Sequence, residues 1–302
     1  VPVVEMQMVF DSGYAADSVE GGQLGLTSFT MNMLDEGAGR MDATDIAARA
    51  ESLGANLSTG AGLDTAAVSL SALRTNLRPS VELMATVITD PSFRDEDIER
   101  VRSQTLNGIQ QEMANPISIA LRLLPPEMYG DGHAYSVPFT GSGPPEAVAG
   151  FTRDDLLAHQ ATWLRPDNAT LFIVGDTTLD EVTPILERAF RNWRAPSTPL
   201  PAKNLAEASN ADSARVIIVD RPNSPQSLIL AGLIGPSGSV DNPEVYAAMN
   251  DAIGGSFSAR VNMNLREDKG WSYGAQTLLW CARGQRPWMV YAPGQTDRTS
   301  YS

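Results

Sequence analysis

The chain has 302 residues, enough for about two domains of ordinary size and a sizeable core. Lys and Arg total 22 against 36 Asp and Glu, giving a net charge of −14. That balance argues against nucleic-acid binding, where affinity comes from cations that neutralise phosphate. One cysteine, Cys281, excludes an internal disulfide framework and a multi-cysteine zinc site, and two histidines, His133 and His159, leave little from which to build an imidazole metal centre. The longest apolar run, 227–234, is interrupted by Gly232 and reaches about half of the roughly 18 residues a membrane span needs, so no span is expected. The residues after Val1 show neither the basic nor the apolar region of a targeting segment.

In chain order, 3–10 (VVEMQMVF) reads as a strand buried mainly on one face. Leu26, Phe29, Thr30, Met33 and Leu34 fall at helical spacing, with Gly37 placed to end that helix. Asp42 and Asp45 open a second helix whose stripe is Ile46, Ala50 and Leu53, before Gly54. Val68, Leu70 and Ala72 alternate as a strand, and Val81, Met84, Ala85 and Ile88 form a helical stripe that stops at Asp90-Pro91. The stretch 95–115 predicts a long helix ended by Pro116. Thr152 with Asp155 forms a capping pattern for a helix through Leu164, 169–174 is a strand, and 182–193 is strongly amphipathic.

Residues 195–214, rich in Pro, Ala and Ser, read as a linker, dividing the chain into a first α+β block, 1–194, and a second, 215–302. In the second block the early order returns: a strand at 227–233, then a helix opened by Asp241-Asn242-Pro243. It reads as an incomplete echo of the first.

The stretch 25–34 (GLTSFTMNML) resembles the metal-binding helix of the insulysin/pitrilysin family, whose inverted motif is His-x-x-Glu-His. Similarity continues through 133–141 (HAYSVPFTG) and 165–176 (RPDNATLFIVGD). By this resemblance the two histidine ligands fall on Ser28 and Asn32, the glutamate that serves as base falls on Met31, and a third ligand from a later helix falls on Gly108 or its neighbour Asn107. Serine and asparagine bind zinc far more weakly than imidazole, and methionine accepts no proton, so this chain is expected to bind no zinc. Taken alone, the segment is an ordinary amphipathic core helix.

A second segment, 260–274 (RVNMNLREDKGWSYG), resembles the same family's substrate-binding signature, an arginine followed seven positions on by a tyrosine. Here these are Arg266 and Tyr273, which the resemblance assigns to gripping peptide carbonyls and stabilising an oxyanion. The plain alternatives are a surface ion pair of Arg266 with Glu267 or Asp268 and a half-buried strand aromatic at Tyr273. Gly254-Gly255-Ser256 reads as a helix stop and tight turn, His133 as a hydrogen-bonded structural residue, and His159 as a partly exposed polar one. Asp154-Asp155 and Asp95-Glu96-Asp97 are helix-start charges, and Ser28 has no base near it in sequence.

The resemblance covers essentially the whole chain, with a further strand of the family unit expected before Val1 and closing helices and a strand beyond Ser302. It implies an α+β fold of two similar sub-blocks, each a mainly antiparallel sheet covered on one face by helices. It also implies the non-catalytic member of a bacterial two-subunit zinc peptidase, the zinc and His-x-x-Glu-His lying in a homologous partner or a second half of the same polypeptide, with an extended peptide as substrate. The other reading is a purely architectural subunit related to the core proteins of a respiratory complex. Periplasm and cytoplasm both remain open as compartments.

Overall fold

The structure is a computed structural model and describes residues 2–222 and 224–301. The fold is α+β and comprises two compact units, one formed by Val1–Gln110 with Gly141–Lys203 and the other by Gln111–Thr140 with Asn204–Ser302. The segment 111–140 therefore belongs with the C-terminal part of the chain, although it lies far ahead of the Pro-rich stretch 195–214.

The first unit is built on β1 (Val3–Phe10), whose Val4, Met6, Met8 and Phe10 turn inward, each at most 4% exposed, while Glu5 and Gln7 face out. There follow α1 (Leu26–Met33), a two-rung hairpin of β2 (Gly37–Ala38) and β3 (Met41–Asp42), α2 (Ala43–Leu53), β4 (Asn56–Ala61), β5 (Ala66–Leu73), α3 (Leu77–Thr89) and α4 (Asp95–Ala114). After α5 (Pro116–Tyr129), which lies in the other unit, the chain returns with α6 (Pro145–Gly150), α7 (Arg153–Trp163), β6 (Ala169–Gly175) and α8 (Leu179–Ala189). The sheet runs β4-β5-β1-β6 with every pair antiparallel. Its inward face, with Val68 and Leu70 of β5, is covered by the helices, including Phe29, Met31, Met84 and Ile88.

Helix starts follow the sequence closely. Asp42 and Asp45 form a reciprocal capping box on α2, whose end is closed by Gly54 in the left-handed conformation, and Thr152 and Asp155 do the same for α7. Gly37 does not end α1: Leu34 is right-handed there, and Gly37 instead pairs with Asp42 in the hairpin. The strand β4 escapes periodicity because NLSTGA is polar and holds a glycine.

In the second unit β7 (Gln226–Ser237), α9 (Pro243–Asn250), β8 (Gln276–Leu279) and β9 (Gln285–Gln295) join α5, and the sheet runs β7-β9-β8, again antiparallel. Pro116 both stops α4 and opens α5, because Asn115 caps the new helix by accepting from Ile117 N at 3.1 Å. Pro125 removes one amide from the interior of α5, and the Leu121 carbonyl that amide would have met accepts from Phe139 N at 2.9 Å instead. Helix α5 packs so closely on β7 that a Cβ on Gly232 would lie 2.7 Å from Met128 Sδ. His133 is structural: its Nδ1 accepts from Tyr135 N at 2.9 Å and its ring stacks on Tyr129 at 4.7 Å. Among the described residues no helix is long and apolar enough to cross a membrane.

The start of α1 is fixed by a buried carboxylate. Asp17, 5% exposed, accepts from Gly25 N (2.8 Å), Thr27 N (3.0 Å) and the Thr27 hydroxyl (2.6 Å). With that hydroxyl proton given to Asp17, Thr27 Oγ1 accepts from His159 Nε2 at 3.2 Å. His159 is thus 7% exposed rather than a partly exposed surface residue. Burial pushes the Asp17 carboxyl up to about 7 against its hydrogen bonds, and holds the His159 imidazole down to about 4.

Thr27→Val deletes two of these bonds while keeping shape, and is expected to cost about 1–3 kcal/mol in urea unfolding. A loss below about 0.5 kcal/mol would show the network to be incidental. In the unfolded chain a histidine takes up its proton below its ordinary 6.5, whereas folded His159 does so only below about 4. Wild type should therefore gain stability relative to His159→Gln as pH rises from about 4 to 6.5 and hold that margin above it, when both are unfolded in urea across this range. A margin independent of pH would contradict a neutral, buried His159.

Candidate functional site

Helix α1 carries Ser28, Met31 and Asn32, the three positions that the sequence resemblance assigns to the motif. Gly25, at φ 90°, starts the helix so close to Gly143 that a Cβ there would fall 2.3 Å from Gly143 N. One turn further in, Ser28 is half-buried, Met31 is fully buried at 0% exposure, and Asn32 is exposed. Thr59 Oγ1 of β4 donates to the Met31 carbonyl at 2.8 Å and so ties the helix to the sheet edge.

These residues do not fit zinc. The position a general base would need is a thioether packed in the core, the flanking positions offer a hydroxyl and an amide, and Gly108 of α4 offers no side chain. An added Cβ at Gly108 would meet nothing within 4 Å. Among the described residues there is no group of three or more His, Cys, Asp or Glu able to hold a metal ion.

Beside Asn32 lies a polar cavity of about 400 Å³, lined by Asp35, Glu36, Thr59, Gln104 and Thr105 as well. Val101, Gln104, Thr105 and Gly108 recur at one face of α4, so Gly108 lies one turn along the face that lines the cavity. Glu36 is held by a bidentate contact from Arg100 at 2.6 and 3.2 Å, and Arg100 also reaches Asp97 at 3.0 Å.

The second candidate, in the other unit, is the loop around Arg266 and Tyr273. A short helix, Arg260–Asn262, widens into a π-helical turn, Met263–Asp268, and the left-handed Gly270 (φ 63°) reverses the chain. Buried Asn262 clamps the segment, donating to the Phe257 carbonyl at 2.6 Å and accepting from Ala275 N at 3.1 Å. The Ser272 hydroxyl donates to the Pro293 carbonyl of β9 and accepts from Gly274 N at 3.1 Å. Tyr273 stands between these anchored neighbours with 88% of its surface exposed, so it is no half-buried strand aromatic.

The Arg266 guanidinium lies 4.6 Å from the centre of the Phe257 ring and its Nε is 3.5 Å from Glu267 Oε1. The surface ion pair is thus present, but long and open to solvent, and leaves most of the guanidinium fork unused. Phe257, itself 65% exposed, was not signalled by the sequence, since no helical or strand period links positions nine apart across the turn. Gly254 is buried where a Cβ would come within 2.7 Å of Thr277 N in β8, a packing role for this glycine in the turn.

The family model described as Insulinase (Peptidase family M16) matches residues 2–137, and that described as Peptidase M16 inactive domain matches residues 150–301. An uncharacterized zinc protease of Mycobacterium leprae (strain TN) is 21% identical over 257 residues, covering 84% of this chain and 56% of that protein. One from Bacillus subtilis (strain 168) is 21% identical over 251 residues, covering 82% and 58%. The chain thus spans little more than half the length of these relatives. The crystal structure of a peptidase M16 inactive domain from Pseudomonas fluorescens superposes with a TM-score of 0.87 at 25% identity, over 98% of this chain and 70% of that one. A protease from Helicobacter pylori gives 0.86 at 16% identity, covering 98% of this chain and 70% of that one, which speaks for the fold alone. The chain belongs to the insulinase family, peptidase family M16, and its second half matches that family's inactive domain.

Proposed function

We propose that this chain is the non-catalytic, substrate-binding subunit of a two-part zinc metallopeptidase that acts on extended peptides. Its partner would be a homologous chain, or a second half of the same polypeptide, that carries His-x-x-Glu-His and holds the zinc. The stretch 195–214 would then be the covalent link between the two α+β blocks of this half. The observation that carries the reading is Tyr273: a phenol left 88% exposed on a loop whose neighbours are anchored by buried hydrogen bonds. Exposing a large aromatic while fixing its backbone suits a group meant to meet a ligand.

In this role the guanidinium of Arg266 donates to backbone carbonyls of the bound peptide, and the ring of Phe257 beneath it limits the orientations it samples. The Tyr273 hydroxyl donates to the carbonyl oxygen of the bond being cut as negative charge grows there. Both groups are donors, and neither takes a proton from water, so the chain by itself would orient a peptide without cleaving it.

With the partner present, Tyr273→Phe is expected to lower kcat by on the order of 10²–10³ while association, followed by sedimentation, is unchanged. Turnover within about twofold of wild type would refute the role. If Arg266→Ala combined with Tyr273→Ala were equally harmless, the chain would be an architectural subunit. Phe257→Ala removes an exposed cation–π contact of about 0.5–1 kcal/mol and is expected to raise KM about two- to fivefold with kcat preserved. A fall in kcat at constant KM would place Phe257 in the chemistry instead.

A further inference from the structure

The cavity between α1, β4 and α4 is too roomy for a bare ion: about 400 Å³ against roughly 30 Å³ for one water in the liquid. Its walls offer acceptors. The donor capacity of both threonines is spent, Thr59 Oγ1 on the Met31 carbonyl and Thr105 Oγ1 on the Val101 carbonyl, each at 2.8 Å. What remains at these two positions is oxygen lone pairs. The amides of Asn32 and Gln104 make no hydrogen bond to the chain among the described residues, and each can turn its oxygen inward.

The charge balance is equally one-sided. Glu36 and Asp97 are answered by Arg100, and Asp97 also by Arg94 at 2.7 Å. Asp35, half-buried at the cavity wall, has no Lys or Arg paired with it among the described residues, and its burial pushes its carboxyl above the usual carboxylate range. One unanswered negative charge among uncharged acceptors is the complement of a donor-only cation, and the net charge of −14 draws cations toward the surface.

We infer that this cavity, whose residues do not fit a metal, is a binding site for a primary ammonium or guanidinium group, namely the side chain of a lysine or arginine in a peptide. Asp35 would carry the ion pair, and Asn32 and Gln104 would accept the remaining protons of the cation. The inference rests on the reading of the chain as a peptide-binding subunit and adds a preference for basic peptides to it.

The test uses the full chain and two fluorescent alanine-rich peptides that differ only in carrying one central lysine or Nε-acetyl-lysine. The lysine peptide is expected to bind about tenfold more tightly, and Asp35→Asn to erase that difference without weakening the acetylated peptide. Gln104→Glu, at an exposed position, is expected to tighten the lysine peptide about fivefold, so the inference does not depend on a loss-of-function variant. Equal affinities for the two peptides, or a preference that survives Asp35→Asn, would overturn the site. As a probe independent of the peptide grip, N-acetyl-lysine methylamide should shift the amide resonances of Asn32, Asp35 and Gln104. If that probe shifts them while neither peptide binds, the peptide-binding reading has failed and the cation cavity stands; if it shifts none of them, the cavity has failed.

Discussion

The first unit turns on one carboxylate. Asp17, sunk in the protein, takes up the free amides at the start of α1 and the Thr27 hydroxyl, and through that hydroxyl engages His159 of α7. A helix whose first turn is pinned in this way has no rotational freedom, so Met31 must face the core and Asn32 must face out. On this helix the two positions that the resemblance assigns to ligands hold a hydroxyl and an amide, and the one it assigns to the base holds a thioether. Maintaining a buried carboxylate and a neutral imidazole costs free energy, which the sheet and helix packing around Phe29, Met31 and Leu34 offsets.

In the second unit rigidity and exposure are combined differently. Asn262 and Ser272 tie both sides of the 260–274 loop to the structure beneath it, and the π-helical turn aims Arg266 over Phe257. What projects from this frame is a set of donors and an aromatic face. Beside them Glu267 sets a carboxylate 3.5 Å from the Arg266 Nε, so the loop presents an acceptor next to its donors.

How legible this was in the sequence depends on distance along the chain. The capping boxes at Asp42/Asp45 and Thr152/Asp155 and the alternation of β1 and β5 are local patterns and could be read directly. Helix α5 was hidden because Pro125 and Pro126 look like breakers, and only the fold supplies Phe139 N to satisfy Leu121. His159 gave no sign of burial, since its partner Thr27 is 132 residues away. The arginine and tyrosine of the second unit were singled out by the resemblance of 260–274 to the family's substrate-binding signature, since their spacing of seven alone reads equally as a surface ion pair and a strand aromatic, whereas Phe257 and the cavity group of Asp35 and Gln104 are brought together by tertiary structure alone.

The central claim is that the retained helix has no metal chemistry of its own. The most direct measurement is the metal content of the purified chain after equilibration with zinc and desalting. The account predicts substoichiometric, readily removed zinc in the chain alone. Zinc held tightly at one ion per chain, and lost when Ser28 or Asn32 is replaced by alanine, would contradict it.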